Sequence, residues 1–369
     1  MEEHASDVFP GDVQTDADLA AFMDEASIRR AERMARINGR YLKTGRDRMI
    51  DAELQLLVEA AAVSADGRRT ERNCLCLIGA TGAGKSTSID MAIRRRPELQ
   101  PRETGMTVTA PIIRLKAPSP CSLKLLAEEA LEKLGYPCDR PLKEGPAWKM
   151  LRRQLKARRV RFMHIDEAQH LVVMTDRAAM ERVSDALKML VDDDEWPVSV
   201  ILTGLPELAD FLAMHGQLRR RSHTIHLENL AMPRDLELLR WMTKTIVEDH
   251  AGMSFEFPLD DDFLGRLCRC ADSQLGAVTQ IVRGAIERVL VEDVDANVVG
   301  RRHFATSYAA FSGCRPDQNI VTARAWREIE PMNALLQEEE LARVRVMKAI
   351  AERHAKHDGR RGRNREREI

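Results

Sequence analysis

Three apolar runs, each stopping abruptly at polar or glycine residues, mark the first two thirds of the chain: residues 74–78, 160–165 and 198–202. Short runs so little interrupted by polar residues predict strands buried on both faces of a sheet. Around them the apolar period lengthens to that of a helix. Residues 86–96 lack Pro and Gly, place Ile89, Ala92 and Ile93 at helical spacing and stop before Pro97. Residues 49–63 put Leu54, Leu57 and Val58 on one helical face. A strand-like stretch at 107–116 is interrupted by Pro111, a loop follows at 118–120, and a helix over 122–134 ends at Gly135. A further strand is predicted at 224–227. From Leu230 the pattern is helical through 236–250, 261–271 and 276–291. Alternating strands and helices followed by helices alone predict an α/β core with a central parallel sheet flanked by helices, plus a small C-terminal α-helical lid.

The chemistry sits where the apolar runs end. Residues 79–86 read GATGAGKS and fit the phosphate-binding pattern G-x-x-x-x-G-K-[ST]. Gly79, Thr81, Gly82, Ala83 and Gly84 supply a loop whose N–H groups can turn inward around phosphates, where Cβ atoms would block close approach. Lys85 adds a point charge, and the hydroxyl of Ser86 is suited to Mg²⁺. The second run closes on Asp166 and Glu167. Asp166 is placed to hold Mg²⁺, directly or through water, and Glu167 to polarise the water that attacks the γ-phosphate. ATP and Mg²⁺ are therefore the expected cofactors and ATP hydrolysis the expected reaction. The third run ends in Thr203-Gly204 before Pro206; Thr203 reads either as a γ-phosphate sensor or as a helix cap. Arg219, Arg220 and Arg221 precede the 224–227 strand. Three arginines in a row make a solvated face, or Arg220 or Arg221 reaches a neighbouring subunit's γ-phosphate as an arginine finger.

The order of these pieces resembles the AAA+ ATPases, and within them the TniB/TnsC-type transposition regulators. The carrying residues are GATGAGKST at 79–87, HIDEAQHL at 164–171, ILTGLPEL at 201–208, RRRSHTIHLENL at 219–230 and HFATSYAAFSGC at 303–314, then Asn319 and 325–329. The DEAQHL and TGLPEL elements are also similar to those of IstB-like and MuB-like transposition ATPases. The resemblance implies a protein that binds double-stranded DNA in an ATP-dependent way and forms homo-oligomeric rings or helical filaments. It further implies that such a protein answers a target-selection protein or complex and recruits or activates a DDE transposase, with hydrolysis driving disassembly. Carried over by position, Lys85, Ser86 and Thr87 contact phosphate and Mg²⁺, Asp166 and Glu167 form the hydrolytic site, and Thr203 is the first sensor. Gln280 stands about where a second-sensor arginine is expected, with Arg283 nearly one turn later as its substitute. Assembly on DNA calls for cations on phosphates, and Lys116, Lys124, Arg152, Arg153 and Lys156 are the candidates. Two other readings share this core: a Cdc6/Orc-type clamp or helicase loader, and an ExeA-like assembly ATPase working without DNA. A loader usually carries a winged-helix domain, and the residues after Trp326 are too few and too poorly patterned for one.

Composition changes this picture little. In 369 residues, 57 Lys and Arg balance 58 Asp and Glu, so net charge argues neither for nor against nucleic acid, and distribution matters more. Residues 1–27 hold many acids and no Lys or Arg, reading as a flexible leader or partner contact. A basic helical segment is expected over 28–72, the nucleotide-binding core over 73–229, the lid over 230–330, and a charged helix with a basic tail over 331–369. No stretch approaches the roughly twenty apolar residues of a membrane span. The acidic start is unlike a secretory signal, and the cysteines lack the C-x₂-C zinc spacing, so a cytoplasmic, reduced protein is expected. Aromatics at 4% disfavour base stacking.

Overall fold

The structure, a computed structural model, describes residues 6–8, 16–63, 73–104, 107–136, 142–171, 177–214 and 216–331. The expected charged helix and basic tail beyond 331 lie outside the described residues, as do 1–5 and 9–15 of the acidic leader. The described residues divide into two compact units, one built on residues within 39–230 with 6–8 and 274–276, the other on 16–38, 231–273 and 277–331.

In chain order, β1 (Ser6–Val8), α1 (Ala17–Ala20) and α2 (Glu25–Gly39) come first, and β2 (Arg40–Leu42) pairs antiparallel with β1. The acidic leader thus contains a strand, which three residues among acids cannot announce through periodicity. Then follow α3 (Gly45–Ala62), β3 (Cys74–Gly79), α4 (Lys85–Arg94), the hairpin β4 (Arg102–Thr104) and β5 (Thr107–Thr109), and β6 (Ile112–Lys116). Pro111 separates β5 from β6, as expected of a residue with no N–H to give a ladder. Next come α5 (Leu123–Lys133), α6 (Glu144–Ala157), β7 (Phe162–Asp166), α7 (Arg177–Val191), β8 (Ser199–Gly204), α8 (Glu207–Met214), α9 (Gly216–Arg221) and β9 (Ser222–Leu227). The start of α5 is fixed by Ser122, whose Oγ accepts from the Leu125 N–H at 3.2 Å.

Five of these strands form a fully parallel sheet in the order β6-β7-β8-β3-β9. Position in the sheet explains the sequence pattern. β3, β7 and β8 are buried at every residue and read as unbroken runs, whereas the edge strands β6 and β9 alternate buried with exposed residues. Along β3 the side chains divide by parity. Leu75 and Leu77 join Ile50, Leu54 and Leu57 of α3 and Ile89, Ala92 and Ile93 of α4. Cys74, Cys76 and Ile78 face the opposite core with α5, α6, α7 and α8. The Cys74 and Cys76 sulfurs lie 3.7 Å apart, the shared face expected of alternate strand positions. The sheet is therefore a middle layer between helices.

The second unit is helical. It contains α10 (Leu236–Lys244), wound on as a π-helix over Thr245–His250, then β10 (Ser254–Phe255), α11 (Asp261–Cys270), most of α12 (Leu275–Glu292), β11 (Val298–Val299) and α13 (Arg301–Ser312). Phe257, Phe263 and Phe304 pack edge to face at its centre, with ring centroids 4.7 and 5.0 Å apart for the two closest pairs. α2 belongs here too: Arg29 pairs with Asp295 at 2.8 Å and Arg33 donates to the carbonyls of Val294 and Ala251. The residues read as one basic segment over 28–72 are thus shared between the units. No helix among the described residues is long and apolar enough to cross a membrane.

Candidate functional site at the sheet's C-terminal edge

In an open parallel sheet, ligands bind beyond the carboxyl ends of the strands, where the chain order reverses. Here β3 lies between β8 and β9, and the loop leaving it is the GATGAGKS segment. Gly84, at φ +90°, caps the N-terminus of α4 in a left-handed conformation that a side chain would strain. Lys85 opens the helix, and its Nζ donates to the carbonyls of Gly79 and Ala80, each at 2.9 Å. Burial lowers the Lys85 pKa, and Glu167 and Asp166 oppose that shift. The Gly276 N–H donates to the Gly82 carbonyl at 2.9 Å, tying the loop's crown to the start of α12.

The neighbouring strands bring the carboxylates to this loop. Asp166 ends β7, and its side chain accepts from the Ser86 hydroxyl, the Thr203 hydroxyl and the Glu167 N–H. Burial resists ionisation of Asp166, but these three hydrogen bonds outweigh it and hold its pKa below the ordinary carboxylate value. Thr203 is wholly buried on β8. Its proton goes to Asp166, so its oxygen accepts from Nε2–H of His164, 3.0 Å away. That fixes the imidazole as the neutral Nε2–H tautomer, and burial pushes the His164 pKa down to about 4. A relay of His164, Thr203 and Asp166 therefore runs across two strands inside the sheet. Glu167 lies just past the strand end with φ +54°. Its carboxylate accepts from Gln169 Nε2.

The donor set fits the expected cofactors. A hydroxyl and an ionised carboxylate side by side suit Mg²⁺, which keeps phosphate and water ligands rather than an all-protein cage. No group of three His, Cys, Asp or Glu side chains gathers as a metal site among the described residues. The loop lysine and inward-turning glycines suit a triphosphate.

The other expected residues fall elsewhere. Arg219 and Arg220 are exposed at the end of α9, whereas Arg221 pairs with Asp192 at 3.2 Å. Arg283 is partly buried on α12 with its pKa lowered by burial, and Gln280 is exposed. Of the expected DNA contacts, Arg152 is bound to Asp193, Lys156 to Glu195 at 2.6 Å and Lys124 to Glu128 at 3.6 Å. Lys116 and Arg153 are exposed and without an ion pair among the described residues.

Sequence reasoning missed several residues that hold the site. Gln169 and His164 went unassigned. So did Tyr41, whose hydroxyl donates to Asp47 and lies 3.1 Å from Ser88 Oγ in the first turn of α4. Asp47 in turn accepts from the Thr44 N–H at 2.8 Å in a capping box that starts α3. The Thr44-x-x-Asp47 spacing was the signal that could have found this brace.

Comparisons with known proteins agree with this geometry. Residues 68–212 match the family model described as an AAA domain. No curated protein matches the chain. Among solved structures, the Orc1 protein of Aeropyrum pernix in complex with DNA is 20% identical, with a TM-score of 0.50 over 73% of this chain and 66% of that one. Cdc6p of Pyrobaculum aerophilum is 14% identical, with a TM-score of 0.49 over 71% and 66%. The Hsp104 of S. cerevisiae in complex with casein is 18% identical, with a TM-score of 0.45 over 74% and 44%. The chain thus spans from under half to about two thirds of the length of these proteins. At 20% identity the likeness to Orc1 speaks for the fold alone and does not single out the TniB/TnsC group. Residues 68–212 match an AAA domain, and the five-stranded parallel sheet, whose β9 lies just beyond them, has the P-loop α/β fold of the AAA+ ATPases.

Proposed function

We propose that the protein is a Mg²⁺-dependent ATPase that assembles on double-stranded DNA and regulates DNA transposition. The observation that carries the ATPase part is the gathering of Lys85, Ser86, Asp166, Thr203 and Glu167 at one edge of the sheet. ATP bound with Mg²⁺ supplies a phosphoanhydride whose cleavage gives the assembly its clock. Lys85 would neutralise phosphate charge, and Ser86 and Asp166 would hold the metal. Glu167 takes a proton from the attacking water, and Thr203 links that site to β8. Arg220, exposed at the end of α9 where Arg221 is tied to Asp192, is the better arginine to act on a neighbouring subunit's site.

The DNA-assembly part rests on the motif resemblance and on the exposed Lys116 and Arg153. Its further step, delivery of a chosen target to a DDE transposase, rests on the DEAQHL and TGLPEL elements alone. A second reading, an initiator-type loader, is kept because the Orc1 likeness is to a structure solved with DNA. Electron microscopy of the purified protein with a non-hydrolysable ATP analogue, with and without duplex DNA, tests the proposal. Rings or filaments that need both ligands support it, and their capture of a DDE transposase rather than a helicase or clamp decides between the two readings. Monomers under every condition overturn it.

A further inference from the structure

Gln169 lies two residues past Glu167 in the short 3₁₀ turn Ala168–Leu171, and only 7% of its surface is exposed. Both ends of its amide are used. Nε2 donates to Glu167 Oε2, and Oε1 accepts from the Leu205 N–H at 3.2 Å. Leu205 directly follows Gly204, the last residue of β8, so one buried side chain bridges the ends of β7 and β8. Two further features build this bridge. A Cβ on Gly204 would lie 3.0 Å from Gln169 Oε1 and 3.1 Å from the Gln169 nitrogen, so the glycine leaves the amide its room. The backbone of Glu167, at φ +54°, occupies a region that L side chains rarely adopt, and the Asp166 carboxylate holds its N–H at 2.9 Å. Such outliers persist where the surroundings over-determine them.

We propose that Gln169 is a positioning residue for Glu167, resting on the ATPase reading above. It pins one oxygen of the Glu167 carboxylate, leaves the other to take the water's proton, and makes that setting depend on the end of β8 that carries Thr203. Only an amide of this length serves. The task needs a donor and an acceptor on one side chain: a glutamate is acceptor-only when ionised and repels Glu167, an apolar residue leaves the Leu205 N–H without its partner, and an asparagine is one methylene short of spanning both. A displacement of Thr203 and Gly204 then reaches the Glu167 carboxylate through Gln169, with no larger movement of the sheet required.

The test uses the full chain with Mg²⁺, ATP and duplex DNA, in wild-type protein, Gln169→Met and Gln169→Glu. Thermal midpoints are read first, and the near-isosteric Gln169→Glu serves should Gln169→Met fail to fold. In the folded variant, KM and the affinity for a non-hydrolysable ATP analogue should stay within about twofold, while kcat falls about tenfold or more, as expected when a catalytic base loses its orientation. In Gln169→Met, hydrogen exchange at the Leu205 N–H, which needs no turnover, should accelerate about tenfold or more as its acceptor is lost, whereas Gln169→Glu keeps an acceptor oxygen there and loses only the donor to Glu167. Unchanged kcat or a loss carried by KM alone in either folded variant, or unchanged protection of Leu205 in Gln169→Met, would each overturn the proposal. A wild-type chain that binds ATP without hydrolysing it overturns the ATPase reading and this proposal together; active wild type with an equally active variant overturns this proposal alone.

Discussion

The central strands β7 and β8 and the edge strands β6 and β9 belong to one sheet, yet polar residues on them carry different information. On β7 and β8 every position is buried, so His164, Asp166 and Thr203 need partners inside the protein, and each has one. On the edges and the outer helices, Lys116, Arg153 and Arg220 face solvent, and water satisfies them whatever their role. Burial therefore turns residue identity into geometry at the centre, while the rim leaves charge as the only clue. The consequences of substitution should differ in the same way.

The largest effect is expected from Lys85→Ala. It removes the cation that the loop carbonyls of Gly79 and Ala80 hold at the head of α4, and should abolish ATP binding in a calorimetric titration and with it ATP-dependent assembly. Glu167→Gln should come next. Turnover should drop about a hundredfold or more while ATP and DNA still bind, leaving a trapped assembly visible by microscopy. Rapid disassembly of that variant with turnover intact would remove Glu167 from its role.

Thr203→Val tests the central relay. It leaves the buried His164 Nε2–H without its partner and takes one of two donors from Asp166 Oδ1, which keeps the Glu167 N–H, at a cost of about 1–3 kcal/mol read by denaturant unfolding. It also removes one of the bonds that keep the Asp166 pKa low, so turnover should fall as well, though less than for Glu167→Gln. The relay also has a signature in pH. His164 has its pKa pushed down by burial to about 4, against 6.5 in an unfolded chain, so between these values the unfolded state binds the extra proton. Stability should therefore fall as pH drops from about 6.5 to about 4, by up to ~3 kcal/mol, and then level off for this group. His164→Gln should flatten that part of the profile.

The same contrast explains what the sequence made legible. The three central strands and the glycine loop could be read because an unbroken apolar run and a fixed motif spacing are local signals. Asp166 and Glu167 stood out because they close such a run. Gln169, His164 and Tyr41 did not, because their meaning lies in partners distant in the chain. Gln169 meets Leu205 and His164 meets Thr203, pairings that the parallel sheet creates, and Tyr41 on β2 meets Ser88 on α4. The strand at Ser6–Val8 was hidden for a similar reason, since its pairing with Arg40–Leu42 spans residues whose acidic character suggested an unstructured leader. The arginine run at 219–221 became divisible only when Asp192, some thirty residues upstream, was found against Arg221.

The smallest effects belong to the rim, and they separate cations that the sequence could not rank. Arg152, Lys156 and Lys124 are already paired with Asp193, Glu195 and Glu128. A cation that must leave such a partner gains less from a DNA phosphate than one that faces only water, because the carboxylate left behind repels the duplex. Lys116 and Arg153 have no such partner among the described residues. Each should contribute close to one phosphate contact, so Lys116→Ala and Arg153→Ala should each flatten the slope of log affinity against log salt by about one, without changing the melting temperature. Arg152→Ala and Lys156→Ala should change the slope by less and lose a little stability with their ion pairs, within the ~1 kcal/mol usual at a surface. Fluorescence anisotropy on duplex DNA over a salt series, with a saturating non-hydrolysable ATP analogue, reads all four. Equal slopes for the paired and unpaired cations would mean that exposure fails to identify the DNA-facing side. The contrast between centre and rim would then hold for chemistry inside the sheet and fail as a guide to recognition outside it.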